Sequence, residues 1–79
     1  MDLRLGALAA DIEYATIAEW RKGEGDPVSA GEIILDIETD KVVQEVEAPV
    51  RGTLREIVAV AGDEVKVGGL LAVIDEEGG

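Results

Sequence analysis

The stretch EGDPVSAGEIILDIE, residues 24–38, returns 37 positions later (25 to 62) as AGDEVKVGGLLAVID, residues 61–75. The following positions are identical in the two copies: Gly25 and Gly62, Asp26 and Asp63, Val28 and Val65, and Gly31 and Gly68. Self-similarity at a fixed period indicates that one supersecondary unit is used twice. At 79 residues, the chain is therefore predicted to be one small domain built from two similar halves.

Each half is predicted to consist of short β-strands joined by tight turns. Glycine followed by aspartate is typical of a turn, because glycine adopts positive φ and the Asp side chain bonds nearby backbone amides. The apolar runs IILDI and LLAVI, residues 33–37 and 70–74, are short and bounded by turn signals, which favours strands over helices. We therefore predict an all-β fold in which antiparallel strands close into a flattened barrel or sandwich.

The composition excludes several classes of function. The chain has no cysteine and no histidine, so disulfides, the usual zinc ligands and the commonest general base are all missing. We accordingly expect no metal site and no catalytic residues. A formal net charge of −11 would repel nucleic acid and anionic membranes, so we expect neither as a partner. No apolar run reaches the length of a membrane span.

The first copy continues into TDKVVQEVEA, residues 39–48, which contains one of the three lysines of the chain. If Asp40 and Lys41 form a two-residue hairpin loop, side chains alternate correctly on both flanking strands. The predicted pairs are Thr39–Val42, Ile37–Gln44, Leu35–Val46 and Ile33–Ala48 on one face, and Glu38–Val43, Asp36–Glu45 and Ile34–Glu47 on the other. The like-charge pair of Asp36 and Glu45 is expected to be tolerated by solvent exposure.

The hairpin places Lys41 where a side chain protrudes with the least steric hindrance. An exposed lysine of this kind is a suitable substrate for an acylating enzyme. The alternative from physical chemistry alone is a soluble turn residue that offsets the surrounding acid. The position 37 residues after Lys41 is residue 78, so the lysine turn and the chain ends are expected at opposite poles of the domain.

Several motifs together resemble the lipoyl domains of 2-oxo acid dehydrogenase complexes. They are Glu19-Trp20, GEGDPV, EIILDIETDKVVQEVEAP and GTLREIVAVAGDEVKVGGLLAVID, and they extend from about Thr16 to Asp75. The resemblance implies a barrel-sandwich hybrid fold with two pseudo-symmetric four-stranded antiparallel sheets. It also implies a lipoyl domain at residues 1–75, followed at residues 76–79 by the start of a flexible linker.

The resemblance further implies lipoate amide-linked to Lys41, with Glu38, Thr39, Asp40 and Val42 as the turn that a lipoate-attaching enzyme recognises. The domain would then be a non-catalytic swinging arm of a dihydrolipoamide acyltransferase. A thiamine-diphosphate-dependent 2-oxo acid dehydrogenase would load the arm, the acyltransferase catalytic core would unload it to coenzyme A, and dihydrolipoamide dehydrogenase would reoxidise it. We expect an isolated monomer in the bacterial cytoplasm or mitochondrial matrix, with no targeting segment.

By position, the exposed loop that the dehydrogenase contacts in this family corresponds to Gly6, Ala7, Leu8, Ala9, Ala10, Asp11, Ile12, Glu13 and Tyr14. The N-terminal segment departs from the family pattern, since Ala15 stands where a glycine is common. The 2-oxo acid of the complex (pyruvate, 2-oxoglutarate, branched-chain or acetoin type) is therefore open.

Two other functions compete with this interpretation. A biotin carrier domain has a similar fold and also bears a hairpin lysine, but its lysine is flanked by methionines, whereas Asp40 and Val42 flank Lys41 here. An unmodified barrel-sandwich module would serve only as a binding or linker element. An acid/base enzyme is disfavoured, because paired carboxylates such as Asp36 and Glu45 are explained more simply as a solvated face. Trp20 is expected to pack against the core.

Overall fold

The structure, a computed structural model, describes residues 1–6 and 12–77. Its strands are β1 (Asp2–Arg4), β2 (Tyr14–Trp20), β3 (Pro27–Val28), β4 (Ile33–Glu38), β5 (Val43–Glu47), β6 (Gly52–Ile57), β7 (Glu64–Lys66) and β8 (Leu70–Glu76). They form two four-stranded antiparallel sheets, ordered β1-β8-β6-β3 and β5-β4-β2-β7. The predicted all-β fold with two sheets is confirmed. Within the described ranges, no helix is long and apolar enough to cross a membrane.

The backbone dihedral angles of the turns follow the same repeat as the sequence. Gly25 and Gly62 have φ angles of 91° and 95°, and Gly31 and Gly68 have φ angles of 84° and 87°. These values lie in the region that residues with a Cβ atom rarely adopt, so the four turns depend on glycine. The predicted turn role of these repeated glycines is therefore confirmed.

The two halves exchange a strand. The short strand β3 of the first half pairs with β6, and β7 of the second half pairs with β2. At each exchange a glycine turn forms hydrogen bonds with a strand of the other half, β6 or β2: Gly25 N donates to Leu54 O (2.7 Å) and Gly62 N to Ile17 O (2.8 Å). In return, Leu54 N donates to Asp26 O and Ile17 N donates to Asp63 O. Neither half can complete its sheet without the other.

The β4–β5 ladder is predicted correctly near the turn and wrongly at its far end. The confirmed pairs are Glu38–Val43, Ile37–Gln44, Asp36–Glu45 and Leu35–Val46. Beyond them the register shifts and Ile33 pairs with Glu47, so the predicted pairs Ile33–Ala48 and Ile34–Glu47 are wrong. Ile34 forms a bulge, and it is buried together with its neighbour Leu35. Strict alternation would have placed one of them in solvent.

The core fills the space between the sheets with aliphatic side chains. The largest fully buried ones are Ile17, Ile34, Leu35, Ile37, Leu54, Leu71 and Ile74. Trp20 is half-buried against this core, and its Nε1 atom donates to Ala59 O at 2.8 Å. The packing role predicted for Trp20 agrees with these contacts.

The chain ends occupy the place that the lysine turn occupies in the other sheet. The Met1 ammonium donates to Ile74 O at 2.7 Å, which corresponds to the pairing of Gln44 with Ile37 beside the lysine turn. Strand β8 ends at Glu76, and Glu77 N still donates to Arg51 O. Residues 78–79 lie outside the described part, and the linker at residues 76–79 stays a prediction.

Strands β2 and β6, which the repeat relates to each other, differ at one buried position. Strand β6 begins with Gly52, which pairs with Glu76, whereas the pairing of β2 with β4 stops at Thr16 and Glu38. A Cβ atom at residue 52 would overlap the carbonyl oxygen of Asp75. The residue related to Gly52 by the repeat is Ala15 (15 to 52). A Cβ methyl group is therefore accommodated at residue 15, where the β2–β4 ladder has already ended, and excluded at residue 52, where the β6–β8 ladder continues.

We predict that Gly52→Ala destabilises the fold by about 2–3 kcal/mol, because the added methyl group must push β6 away from β8. The matched variant Ala15→Gly should cost only about 0.5–1 kcal/mol. Urea unfolding of the two variants beside the wild type measures both effects. Equal losses in the two variants would show that the close approach at Gly52 is unimportant.

A second prediction concerns Glu32, which accepts hydrogen bonds from Ser29 N (3.0 Å) and Lys22 Nζ (3.2 Å). These bonds lower the pKa of Glu32 below its ordinary value of 4.5. A carboxyl group with a lowered folded-state pKa stabilises the fold above its unfolded pKa and loses this contribution as the pH falls through the folded value. Glu32→Gln should therefore reduce stability near neutral pH, with an effect that fades in acid. A pH-independent difference in urea unfolding would contradict this.

Candidate functional site

The candidate site is the turn that joins β4 to β5 and carries Lys41. Thr39 N donates to Val42 O at 2.8 Å, which closes the two-residue loop predicted from the sequence. The side chain of Lys41 is exposed. Asp40 and Lys41 both have negative φ, so the loop is neither a type I′ nor a type II′ turn, the types that match the twist of a hairpin. Another interaction must therefore stabilise it.

The Thr39 hydroxyl provides that interaction. Its oxygen accepts from Lys41 N (3.3 Å) and Val42 N (3.2 Å), and the hydroxyl donates to Val42 O (3.2 Å). A threonine hydroxyl that bonds the backbone of its own turn replaces the bonds that a favourable turn type would supply. Thr39, which the family resemblance assigned to enzyme recognition, thus holds the backbone on both sides of Lys41.

The other predicted recognition residues surround the lysine on the surface. Glu38, Asp40 and Val42 are all exposed, and so is Val43, whose exposed fraction is 65%. The turn therefore presents carboxylates before the lysine and aliphatic side chains after it. Their recognition role stays a prediction.

A cleft of about 380 Å³ lies beside the turn. It is lined by Ile12, Glu13, Tyr14, Ala15, Thr16, Glu38, Thr39, Asp40 and Glu64. Four of these residues carry carboxylates, and Tyr14 is half exposed. The structure thus brings the last three residues of the predicted partner loop next to the lysine turn.

Gly6, the first residue of that loop, borders a second cavity of about 300 Å³ on the other side, lined by Leu5, Ile37 and residues 44–47. The described ends of the loop therefore flank the lysine hairpin on both sides. Residues 7–11 (Ala7, Leu8, Ala9, Ala10 and Asp11) lie outside the described part. Contact of this loop with a dehydrogenase stays a prediction.

The stem of the hairpin contains an ion bridge that the sequence pattern did not predict. Arg21 Nε lies 3.1 and 3.3 Å from the carboxylate oxygens of Asp36, and Arg21 Nη2 lies 3.5 Å from Glu45. The hydrogen bonding of Arg21 Nε to the Asp36 carboxylate and the negative charge of Asp36 raise the pKa of Arg21 above its ordinary value. Solvent exposure, the predicted reason for tolerating the Asp36–Glu45 pair, is wrong for Asp36, whose side chain is only 12% exposed.

The sequence alone does not predict this bridge, because Arg21 reaches β4 through the pairing of β2 with β4, which no local sequence pattern specifies. Within residues 1–6 and 12–77, no group of three or more histidine, cysteine, aspartate or glutamate side chains is arranged to hold a metal ion.

Known proteins with similar sequences and structures show which family the chain belongs to. A model of the family described as "Biotin-requiring enzyme", the biotin and lipoyl attachment domains, matches residues 1–74. The solution structure of the lipoyl domain of the 2-oxoglutarate dehydrogenase complex from Azotobacter vinelandii superimposes with a TM-score of 0.79, at 43% identity, over 98% of each chain. The chain belongs to the lipoyl domains of this family. The resemblance drawn from the sequence and the barrel-sandwich fold are thereby confirmed.

The chain is also similar to segments of larger proteins. A dihydrolipoyllysine-residue succinyltransferase component of the 2-oxoglutarate dehydrogenase complex from Staphylococcus saprophyticus is 45% identical over 78 residues. A dihydrolipoyllysine-residue acetyltransferase component of the pyruvate dehydrogenase complex from Rhizobium meliloti is 44% identical over 79 residues. The chain spans 99% of its own length in both alignments but only 18% of each relative. The lipoyl domain is a carrier module, and its family implies lipoate as the attached group.

We predict that Thr39→Val, which removes the hydroxyl and keeps the branched shape, lowers the free energy of unfolding by about 1 kcal/mol. Thr39→Ser should retain most of the stability, because it keeps the three hydrogen bonds around Lys41. Urea unfolding of both variants compares them directly. A serine variant as unstable as the valine variant would rule out the hydroxyl as the element that stabilises the turn.

Proposed function

We propose that Lys41 is the lipoyl attachment site and that the domain carries acyl groups and electrons between active sites on this arm. The observation that supports the proposal is an exposed lysine at the tip of a closed two-residue loop, in a chain of the lipoyl domain family. Thr39 holds the backbone on both sides of the lysine, so the lysine side chain is attached to a fixed backbone position.

The residues of the turn fit a covalently attached group. Attachment forms one amide bond between Lys41 Nζ and the lipoyl carbonyl carbon, while Nζ releases a proton and the activating group leaves the carbonyl. The attached group supplies a dithiolane that accepts an acyl group with two electrons. The protein contributes an anchor that extends from the surface, with exposed Glu38, Asp40 and Val42 around its base for recognition by the lipoate-attaching enzyme.

We further propose that the domain works within a dihydrolipoamide acyltransferase of a 2-oxo acid dehydrogenase complex. Its partners would be the thiamine-diphosphate-dependent dehydrogenase, the acyltransferase catalytic core and dihydrolipoamide dehydrogenase. The relatives support this class, because both are acyltransferase components of such complexes. Identities of 45% and 44% to a succinyltransferase and an acetyltransferase leave the 2-oxo acid open.

The decisive test is modification of the chain by a lipoate-attaching enzyme. Coexpression with this enzyme and lipoate should add one lipoyl group to the wild type and none to Lys41→Ala, as measured by intact mass. Lys66→Ala is the matched control, since Lys66 is also exposed, on β7, and should gain the same mass as the wild type. A mass gain in Lys41→Ala would contradict the assignment.

The same assay separates lipoate from biotin, the other group carried in this family. Coexpression with a biotin ligase and biotin should leave the mass of the wild type unchanged, because Asp40 and Val42 replace the methionines that flank a biotinyl lysine. Biotin attachment at Lys41 in the absence of lipoate attachment would replace the proposed function with that of a biotin carrier.

A further inference from the structure

The ion bridge lies in the stem of the lysine hairpin. Asp36 on β4 and Glu45 on β5 form a directly opposed pair, and Arg21 contacts both. Asp36 precedes Lys41 by five positions and Glu45 follows it by four, so the bridge ties together the two strands that present the lysine. Like charges directly opposite each other across an antiparallel pair are destabilising, and Arg21 offsets them.

The other half of the domain builds the same structure without this bridge. Arg21 N donates to Ile34 O (2.8 Å), and 37 residues later Val58 N donates to Leu71 O (3.0 Å). The counterpart of the Asp36–Glu45 pair is the pair of Val73 with Asp2. The positions of Arg21 and Asp36 are thus occupied by two valines, Val58 and Val73, in the half that lacks the lysine hairpin.

The fold itself does not require the ion bridge. The sheet and its bulge form with valines at both positions, so an arginine and a buried carboxylate are not required by the architecture. In the lysine half, β5 lies at the edge of its sheet and, among the described strands, pairs with β4. Without Arg21, a largely buried Asp36 would face Glu45 with no counter-charge, and the repulsion would act on the β4–β5 pair.

We propose that Arg21 is a positioning residue that keeps the β4–β5 hairpin ordered, so that Lys41 is presented in the geometry that the lipoate-attaching enzyme recognises. This inference rests on the proposed attachment at Lys41. A hairpin that frays must be reordered on binding, and the enzyme then binds the domain less tightly without reacting more slowly once bound. Loss of Arg21 should accordingly appear in KM for the domain rather than in kcat.

The kinetic test compares Arg21→Ala with Arg55→Ala in the 79-residue chain. Arg55 is a matched surface arginine on the other sheet, which pairs with Asp75 at 3.5 Å. We expect Arg21→Ala to raise KM for lipoylation about three- to tenfold with kcat changed by less than about twofold, and Arg55→Ala to leave both constants unchanged. Equal KM values for Arg21→Ala and the wild type would overturn the inference. A wild type that accepts no lipoate would instead overturn the proposed function.

Hydrogen exchange tests the same inference without any enzyme. The Thr39 amide, which closes the lysine turn, should exchange about tenfold faster in Arg21→Ala, while the Leu54 amide in the other half keeps its wild-type rate. The double variant Arg21→Val/Asp36→Val copies Val58 and Val73, and it should restore both the Thr39 protection and the wild-type KM. Unchanged Thr39 exchange in Arg21→Ala would overturn the positioning role. So would a double variant with restored protection and a raised KM, because Arg21 would then act by contacting the enzyme.

Discussion

The whole structure depends on the reciprocal hydrogen bonds between each glycine turn and a strand of the other half, β6 or β2. Gly25 bonds Leu54, Gly62 bonds Ile17, and each turn then inserts a short strand beside the strand that it has bonded. Both glycines have positive φ, which a residue with a Cβ atom would adopt only under strain. The aliphatic core is enclosed because these two turns hold the sheets together. The domain can therefore have few aromatic residues and no disulfide at 79 residues.

The lysine turn is stabilised by residues other than the lysine itself. Asp40 and Lys41 adopt a turn type that does not match the hairpin twist, and the Thr39 hydroxyl supplies the missing backbone bonds. Lower in the stem, Arg21 balances two carboxylates that would otherwise separate the strands. The turn thus combines an exposed amine with a rigid base. The proposed attachment at Lys41 requires this combination, because the attached group must move between active sites while the turn must remain recognisable.

Local signals carried most of what could be predicted. The glycine turns, the loop at Asp40 and Lys41, and the strand pairing from that loop down to Leu35 and Val46 follow from short stretches of sequence, and the structure has them as predicted. Features that depend on which strands become neighbours were not predictable. The bulge at Ile34 and the bridge from Arg21 both belong to this class, because alternation within one hairpin contains no information about β2. The loop at residues 6–14 could be assigned only by resemblance.

The exchange of strands has a consequence for the order of events during synthesis. Lys41 belongs to the first half of the chain, but its sheet is completed by β7, residues Glu64–Lys66, which pairs with β2. A nascent chain that has emerged only as far as the lysine turn has neither this strand nor the turn at Gly62 that bonds Ile17. Lys41 therefore reaches its final setting only after nearly the entire domain has left the ribosome. Attachment of the arm at Lys41 would then mark molecules that have finished folding, and a truncated or misfolded chain would be left without its cargo.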